Sequence, residues 1–121
     1  TGTNLLQLLE RRLDNVVYRL SFASTRSQAR QLVNHAHFLV NNTKVNIPSY
    51  LVKPGDKIKV RDRSKKLDVL LDSVRRIKGD LDLPWLELDK AKLTGTFMDI
   101  PAREDMGVIA NEQLIVELYS K

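Results

Sequence analysis

Cationic side chains concentrate in the first half of the chain, and two of them lie one helical turn apart. Arg26 and Arg30 are separated by four residues, which places both guanidinium groups on the same face of a helix. A guanidinium group presents a planar fork of donors that matches the oxygens of a phosphate. The start of this helix carries the hydroxyls of Ser24, Thr25 and Ser27 and free backbone N–H groups, which favour an anion. The pattern predicts a phosphate site.

The charge of the chain is divided unevenly between its two halves. Residues 1–66 carry 13 Lys and Arg against 4 Asp and Glu, whereas residues 67–121 carry 7 against 11, within a total of +5. This asymmetry predicts one region that binds a polyanion and one with another role, although charge alone leaves RNA, DNA and anionic lipid open. Further cationic candidates in the basic half are Arg12, Arg19, His37, Lys44, Lys57, Lys59 and Arg61.

The residue types needed for catalysis or metal binding are sparse. The chain has no Cys, which excludes thiol catalysis and zinc–thiolate sites. Its two histidines, His35 and His37, would point to different sides of a helix and could not share a metal ion there. The five glycines are isolated, so no phosphate-binding glycine loop is present, and the acidic residues are scattered. The sequence therefore predicts a non-enzymatic chain without a metal, a cofactor or a small-molecule substrate.

Aromatic residues are also few, at 6% of the chain. Phe22 and Phe38 stand in apolar contexts and are predicted to lie in the core. This composition disfavours a platform on which single-stranded bases stack. Basic faces and helix ends are instead typical of proteins that contact the shape and phosphates of folded RNA.

The length of 121 residues allows one modest core. No apolar run approaches the roughly 20 residues that span a bilayer, and the N-terminus lacks the pattern of a signal peptide. These features favour a cytosol-like compartment and give no indication of a membrane partner.

Hydrophobic spacing predicts helices in the first third of the chain. Residues 4–20 form one helix or two short ones, whose buried stripe consists of Leu5, Leu6, Leu9, Leu13, Val16, Val17 and Leu20. Thr25 and Gln28 have the spacing of a capping box that starts a further helix. That helix should bury Ala29, Leu32, Val33 and Ala36, and its outer face should carry Arg26, Arg30, Asn34 and His37.

Shorter β patterns follow. Residues 38–40 and the turn at 41–44 read as a hairpin, 53–56 as a tight turn and 57–61 as a half-buried strand. An amphipathic helix is predicted over 65–77 and should end near Gly79. Extended segments are predicted at 83–88 and 94–100. A last helix should begin near Asn111, although a strand at 114–116 is the alternative.

Several of these segments resemble one known family. The segments are Arg12–Leu20, Ala23–Arg26, Gln28–His35, Lys44–Tyr50, Val52–Asp56 and Glu112–Lys121. They closely resemble the S-four family of small-subunit ribosomal proteins from bacteria or organelles, and the resemblance covers essentially the whole chain. It implies an α+β fold in which an αα-hairpin and a small β-structure form the S-four RNA-binding domain. A smaller helix-and-strand portion then follows.

The resemblance implies a ribosomal role. Members of this family bind small-subunit ribosomal RNA at a helical junction and nucleate assembly of the subunit. They lie beside neighbouring small-subunit proteins near the path by which messenger RNA enters, where they influence the accuracy of translation. A cytoplasmic ribosome, or an organellar one, is therefore expected. The implied RNA contacts are Arg12, Arg19, Ser24, Thr25, Arg26, Gln28, Arg30, Gln31, His35, His37, Lys44 and Lys53.

The chain departs from the family pattern in two ways. The family carries a segment before the position of Thr1, so part of the RNA surface is expected to lie there. The family also commonly has Gly where this chain has Ser21, Ala36 and Asn42. Since Gly supplies positive φ in such turns, Ser21 and Ala36 should either adopt the same backbone at some cost or differ in local conformation, and Asn42 should be affected least.

The expected organisation is an RNA-binding domain at residues 8–66 and a C-terminal α/β portion at 67–121 that packs with residues 1–7. Three alternatives remain at this stage. An RNA-modifying enzyme or a tRNA synthetase could carry the same domain, although the residues after Lys66 are few for a catalytic domain. A helix-turn-helix DNA-binding protein and a peripheral membrane protein are the others.

Overall fold

The computed structural model describes residues 2–76 and 83–102. Four α-helices, five strands and one short 3₁₀ helix lie in these ranges. The helices are α1 (Gly2–Arg11), α2 (Leu13–Arg19), α3 (Arg26–Asn34) and α4 (Asp68–Arg75), and the 3₁₀ helix is Asp62–Ser64. The strands are β1 (Phe38–Val40), β2 (Thr43–Lys44), β3 (Lys57–Val60), β4 (Leu86–Asp89) and β5 (Thr94–Phe97).

The first amphipathic segment is two helices and not one, because the backbone becomes extended at Arg12, with φ −63° and ψ 138°. The segment before the 53–56 turn stabilises this break. The N–H of Leu13 donates to the carbonyl of Tyr50 at 2.8 Å, and the N–H of Val52 donates to the carbonyl of Arg11 at 2.7 Å. The chain can therefore change direction between α1 and α2 without leaving these backbone groups unpaired.

The predicted start of α3 is confirmed, and its predicted end is too late. The Thr25 hydroxyl accepts a hydrogen bond from the backbone N–H of Gln28 at 3.0 Å, as a helix N-cap does. The helix ends at Asn34, so the placement of Ala36 and His37 on its faces was wrong. The reason is local, since Ala36 adopts a left-handed φ of 61° that no α-helix continues through.

The strands form one antiparallel sheet in the order β2-β1-β3-β5-β4. Its central strand β3 and the neighbouring strand β5 come from opposite sides of residue 66, where the sequence suggested a domain boundary. That boundary stays a prediction, but the sheet crosses it without interruption. The Gln7 side chain also donates to the carbonyl of Pro101 at 3.2 Å, which links α1 to the segment after β5.

One core lies between the helices and a face of this sheet. Phe22 and Phe38 are fully buried, as predicted, and their rings stack with centroids 5.9 Å apart. The buried stripe of the first two helices is also confirmed except at Leu5, which remains 37% exposed. Helices packed on an antiparallel sheet confirm the predicted α+β class.

The later elements are shorter than their sequence patterns suggested. The helix predicted over 65–77 begins only at Asp68, after a 3₁₀ turn, and β5 ends at Phe97 rather than at Ile100. Gly79 and the last helix or strand after Asn111 lie outside the described residues.

Three turns have the left-handed backbone that the resemblance to the family predicted. Ser21, Ala36 and Asn42 have φ values of 66°, 61° and 67°. A side chain in this region crowds the following carbonyl, which costs roughly 1–2 kcal/mol for most residues and less for Asn. Ser21 and Ala36 therefore carry local strain that Gly would relieve.

This strain gives a stability prediction. Ala36→Gly should raise the free energy of unfolding by about 1 kcal/mol in urea titrations, because Gly adopts positive φ without a steric cost. Ala29→Gly is the matched control. Ala29 is fully buried inside α3, where the same substitution should lower stability by about 1 kcal/mol or more. A destabilised Ala36→Gly variant would contradict the strain at this turn.

Candidate nucleic-acid interface

A cleft of about 160 Å³ runs between the first two helices and the start of α3. Three arginines contribute to its wall, two from α3 and one from the break between α1 and α2. The lining residues are Leu9, Arg12, Asp14, Asn15, Arg26, Ser27 and Arg30. The fold thus brings Arg12, Arg26 and Arg30 together, which the sequence alone could predict only for the last two.

A buried carboxylate lies behind this cleft. The Glu10 side chain is only 4% exposed, and its Oε1 accepts hydrogen bonds from Asn15 Nδ2 at 2.9 Å and Arg19 Nε at 3.2 Å. A second bond joins Arg19 Nη2 to Glu10 Oε2 at 3.3 Å, which makes the ion pair bidentate. Because both oxygens are engaged, Glu10 holds Asn15 and Arg19 in fixed orientations.

Arg26 is fixed by the next residues in this network. Its Nε donates to Asn15 Oδ1 at 3.2 Å, and its guanidinium carbon lies 4.6 Å from the ring centroid of Tyr18. The prediction that Arg26 lies on an outer helix face was therefore wrong, since the side chain is half-buried against α2. Burial, and then the nearby charge of Arg19, lower the pKa of Arg26 from its ordinary value.

Arginine nevertheless stays protonated at neutral pH. Arg26 donates no hydrogen bond to a carboxylate among the described residues. The nearby carboxylates of Glu10 and Asp14 offset part of its charge, and a positive charge without a direct ion pair remains at the cleft. An incoming anion would stabilise this charge. Arg12, in contrast, is already paired with Asp14 at 3.1 Å. Arg30 is exposed at the cleft's edge and can reach outward.

The start of α3 uses its polar side chains for capping. Thr25 caps the helix, and the Gln28 side-chain oxygen accepts from the backbone N–H of Ser24 at 2.7 Å, one residue before the position of an ideal capping box. The Ser24 hydroxyl lies 2.9 Å from that of Ser73 on α4. These three residues therefore shape the helix terminus and leave its backbone N–H groups close to Arg26.

The remaining predicted contacts spread away from the cleft. Gln31 and His35 are exposed at the outer side and the end of α3, Lys44 is exposed on β2, and Lys53 is exposed in the turn before β3. His37 is half-buried, and its Nδ1 lies 2.7 Å from the Ser64 hydroxyl. The list of RNA contacts as a whole stays a prediction.

The His37 environment gives a pH prediction. Burial, and then His35 and Arg61, lower the pKa of His37 from its ordinary 6.5. The unfolded chain therefore takes up a proton first as the pH falls through 6.5, so the free energy of unfolding should fall below that pH. When the pH falls from 7.5 to 5.5, urea titrations should show a smaller loss in the free energy of unfolding for His37→Gln than for the unsubstituted chain. His35→Gln is the comparison variant. An equal loss of unfolding free energy in His37→Gln and in the unsubstituted chain would contradict the role of His37 in this pH dependence.

Sequence reasoning missed the residues behind the arginines. Glu10, Asn15 and Tyr18 were not among the predicted site residues, yet the first two are buried. One signal was present, since Glu10 lies four residues after Leu6 and three before Leu13, both on the buried stripe. A charged residue at an apolar position of a helix indicates a buried pair.

Other kinds of site find no support within residues 2–76 and 83–102. No cluster of three potential metal ligands occurs there, and none of the helices is long and apolar enough to cross a membrane.

The two histidines do not share a helix. His35 lies at the end of α3 and His37 lies beyond it, so the prediction that placed both on one helix was wrong. Their ring centroids are 6.1 Å apart.

Comparison with known proteins points to one family. Residues 11–58 match the S4 domain, a range that includes α2, α3, β1, β2 and the first two residues of β3. Over all 121 residues the chain is 56% identical to small ribosomal subunit protein uS4 of Syntrophobacter fumaroxidans. It is 57% identical, across an alignment of 128 residues, to the protein of that name from Hahella chejuensis, and 53% identical to the one from Chlorobaculum tepidum.

The whole chain is covered in each comparison, but it spans only 58–60% of the length of these relatives. Their names are those of ribosomal proteins and not of enzymes, which agrees with the non-enzymatic interpretation of the sequence.

Proposed function

Because the chain belongs to the uS4 family of small-ribosomal-subunit proteins, we propose that its arginine-lined cleft binds the phosphates of small-subunit ribosomal RNA. The observation that carries the proposal is the network in which Glu10 and Asn15 orient Arg19 and Arg26. A preformed set of guanidinium groups binds phosphate at a lower entropic cost than free side chains do.

The contacts divide by their geometry. Arg26 and Arg30, with the N-terminal N–H groups of α3, act on phosphates inside the cleft, where the helix dipole adds to the attraction. Lys44, Lys53, Gln31 and His35 are exposed and extend the contact along the RNA. Arg19 supports the cleft from its paired position and contributes its charge to the local field.

The finer role follows the family. The chain binds at a helical junction of the RNA and nucleates assembly of that part of the small subunit. It lies near the path by which messenger RNA enters, beside neighbouring small-subunit proteins, and it influences translational accuracy there. Residues 8–66 act as the RNA-binding unit, the remainder contacts proteins, and the location is a cytoplasmic ribosome.

The test is a filter-binding titration with small-subunit ribosomal RNA, in the presence of duplex DNA or transfer RNA as competitor. We expect selective binding whose log affinity falls linearly with log salt, by roughly 0.7–0.9 for each phosphate neutralised. Equal binding to ribosomal RNA, duplex DNA and transfer RNA would leave only a nonspecific basic surface. A slope near zero would contradict docking through the arginines.

A further inference from the structure

On the outer face of the sheet, basic and acidic residues lie on different strands. In one row across the sheet, Lys59 pairs with Thr94, and Thr94 pairs with Asp89. In the next row Lys57, Thr96 and Glu87 follow the same order. The basic residues thus lie on β3, the acidic residues lie on β4, and a threonine separates them in both rows.

The basic and acidic residues of each row form no ion pair with one another among the residues the structure describes. Two strand steps set their backbones about 9.6 Å apart, with the threonine between them. Both acidic side chains are exposed, and neither forms a salt bridge among the residues the structure describes. Asp89 Oδ1 accepts only from the backbone N–H of Lys92, at 3.1 Å. Two carboxylates therefore remain available on the face of β4.

β4 is also the last strand of the described sheet. The backbone N–H and carbonyl of Phe97 bond to Asp56 and Gly55, on the side of β5 that faces β3. Successive residues of an antiparallel strand bond to opposite sides, so Thr96 and Thr94 bond to Glu87 and Asp89 on β4. The backbone groups of Leu86 and Leu88 then point away from β5. The Leu86 N–H is already bonded to the Leu83 carbonyl, which leaves the Leu86 carbonyl and both groups of Leu88 directed outward.

We propose that this acidic edge, the outward backbone groups of Leu86 and Leu88 with the carboxylates of Glu87 and Asp89, binds an extended protein segment with Lys or Arg at alternate positions. The segment adds as a sixth strand through main-chain hydrogen bonds. Its basic residues lie opposite the two carboxylates, and its apolar residues continue the face to which Leu86 and Leu88 belong.

The turn after β4 limits how the segment lies. Lys90 follows Asp89 directly and Lys92 lies two residues further on, so the basic residues of the segment should stop opposite Asp89 and not continue along the turn. The contact is therefore short, with about five residues. The inference rests on the proposed function only in placing the chain among basic RNA-binding proteins, which supply such segments.

The test uses the full chain and a fluorescent peptide of sequence Ser-Lys-Val-Arg-Val-Lys-Ser, measured by anisotropy. The edge variant Glu87→Gln with Asp89→Asn should weaken peptide binding at least fivefold. The matched variant Asp72→Asn with Asp99→Asn has the same change in charge at exposed sites off β4 and should bind as the unsubstituted chain does. A peptide with Pro in place of both Val residues should not bind, because Pro cannot donate to the edge.

Equal weakening in both variants, or binding of the Pro peptide, would overturn strand addition in favour of nonspecific charge attraction. Displacement of the peptide by ribosomal RNA from the unsubstituted chain would assign the edge to RNA and also overturn the proposal. Filter binding of RNA to the edge variant separates the two functions. A chain that takes the peptide but not ribosomal RNA would contradict the proposed function alone.

Discussion

Arg26→Ala is expected to weaken binding to small-subunit ribosomal RNA by about 10- to 100-fold. A hydrogen bond to a charged group contributes roughly 1.5–3 kcal/mol, and each 1.4 kcal/mol is a factor of ten in affinity. Arg26 should be near the upper part of this range because its charge is partly buried and faces no carboxylate directly. Filter binding at one fixed salt concentration measures the effect.

Two further variants separate charge from geometry. Arg26→Lys keeps the charge but loses the planar fork, so it should lose part of the affinity. Arg63→Ala removes the same charge from an exposed position in the 3₁₀ helix and should change affinity by less than about threefold. An Arg26→Ala variant that binds as tightly as Arg63→Ala would remove the cleft from the binding site.

The second large effect concerns a negative charge. Glu10→Ala makes the chain more basic, yet it should both destabilise the fold and weaken RNA binding. Removing one partner of a buried ion pair costs roughly 3–5 kcal/mol, because the other charge is left uncompensated. Arg19 is 13% exposed, so about 3 kcal/mol is expected in the free energy of unfolding.

Glu10→Gln serves as the intermediate variant, since an amide oxygen can still accept from Asn15 or Arg19. It should retain most of the fold and lose several-fold in RNA affinity, because the orientation of Arg26 through Asn15 becomes looser. Urea unfolding and filter binding on the same samples distinguish the two effects. Tighter RNA binding by folded Glu10→Gln would show that Glu10 acts as a repulsive charge and not as a positioning residue.

The sequence predicted those parts of the fold that depend on local patterns. The Thr25 cap needs only a hydroxyl and the right spacing. β3 follows from alternating polar and apolar residues, and β1 follows from a short apolar run before the turn at 41–44. The left-handed turns at Ser21 and Ala36 were predicted for a different reason, since they came from the family's glycines and not from the residue types present.

What the sequence could not predict depends on tertiary contacts. The break at Arg12 is stabilised by carbonyls some forty residues away, at Pro48 and Tyr50. The orientation of Arg26 depends on Asn15 from another helix, so helical periodicity alone placed the side chain outward. The partners of Glu10 could not be predicted, because Asn15 and Arg19 lie beyond that same break.

The order of strands in the sheet has a consequence for synthesis of the chain. β3 is paired on one side by β1 as soon as both have emerged, but its other neighbour, β5, is made only after α4 and β4. Until then the nascent chain exposes the edge of β3, and open edges promote aggregation. Lys57 and Lys59 alternate along this strand, and we expect their like charges to disfavour pairing with a second copy. We therefore expect the lysines of β3 to protect the unfinished protein as well as charge the finished one.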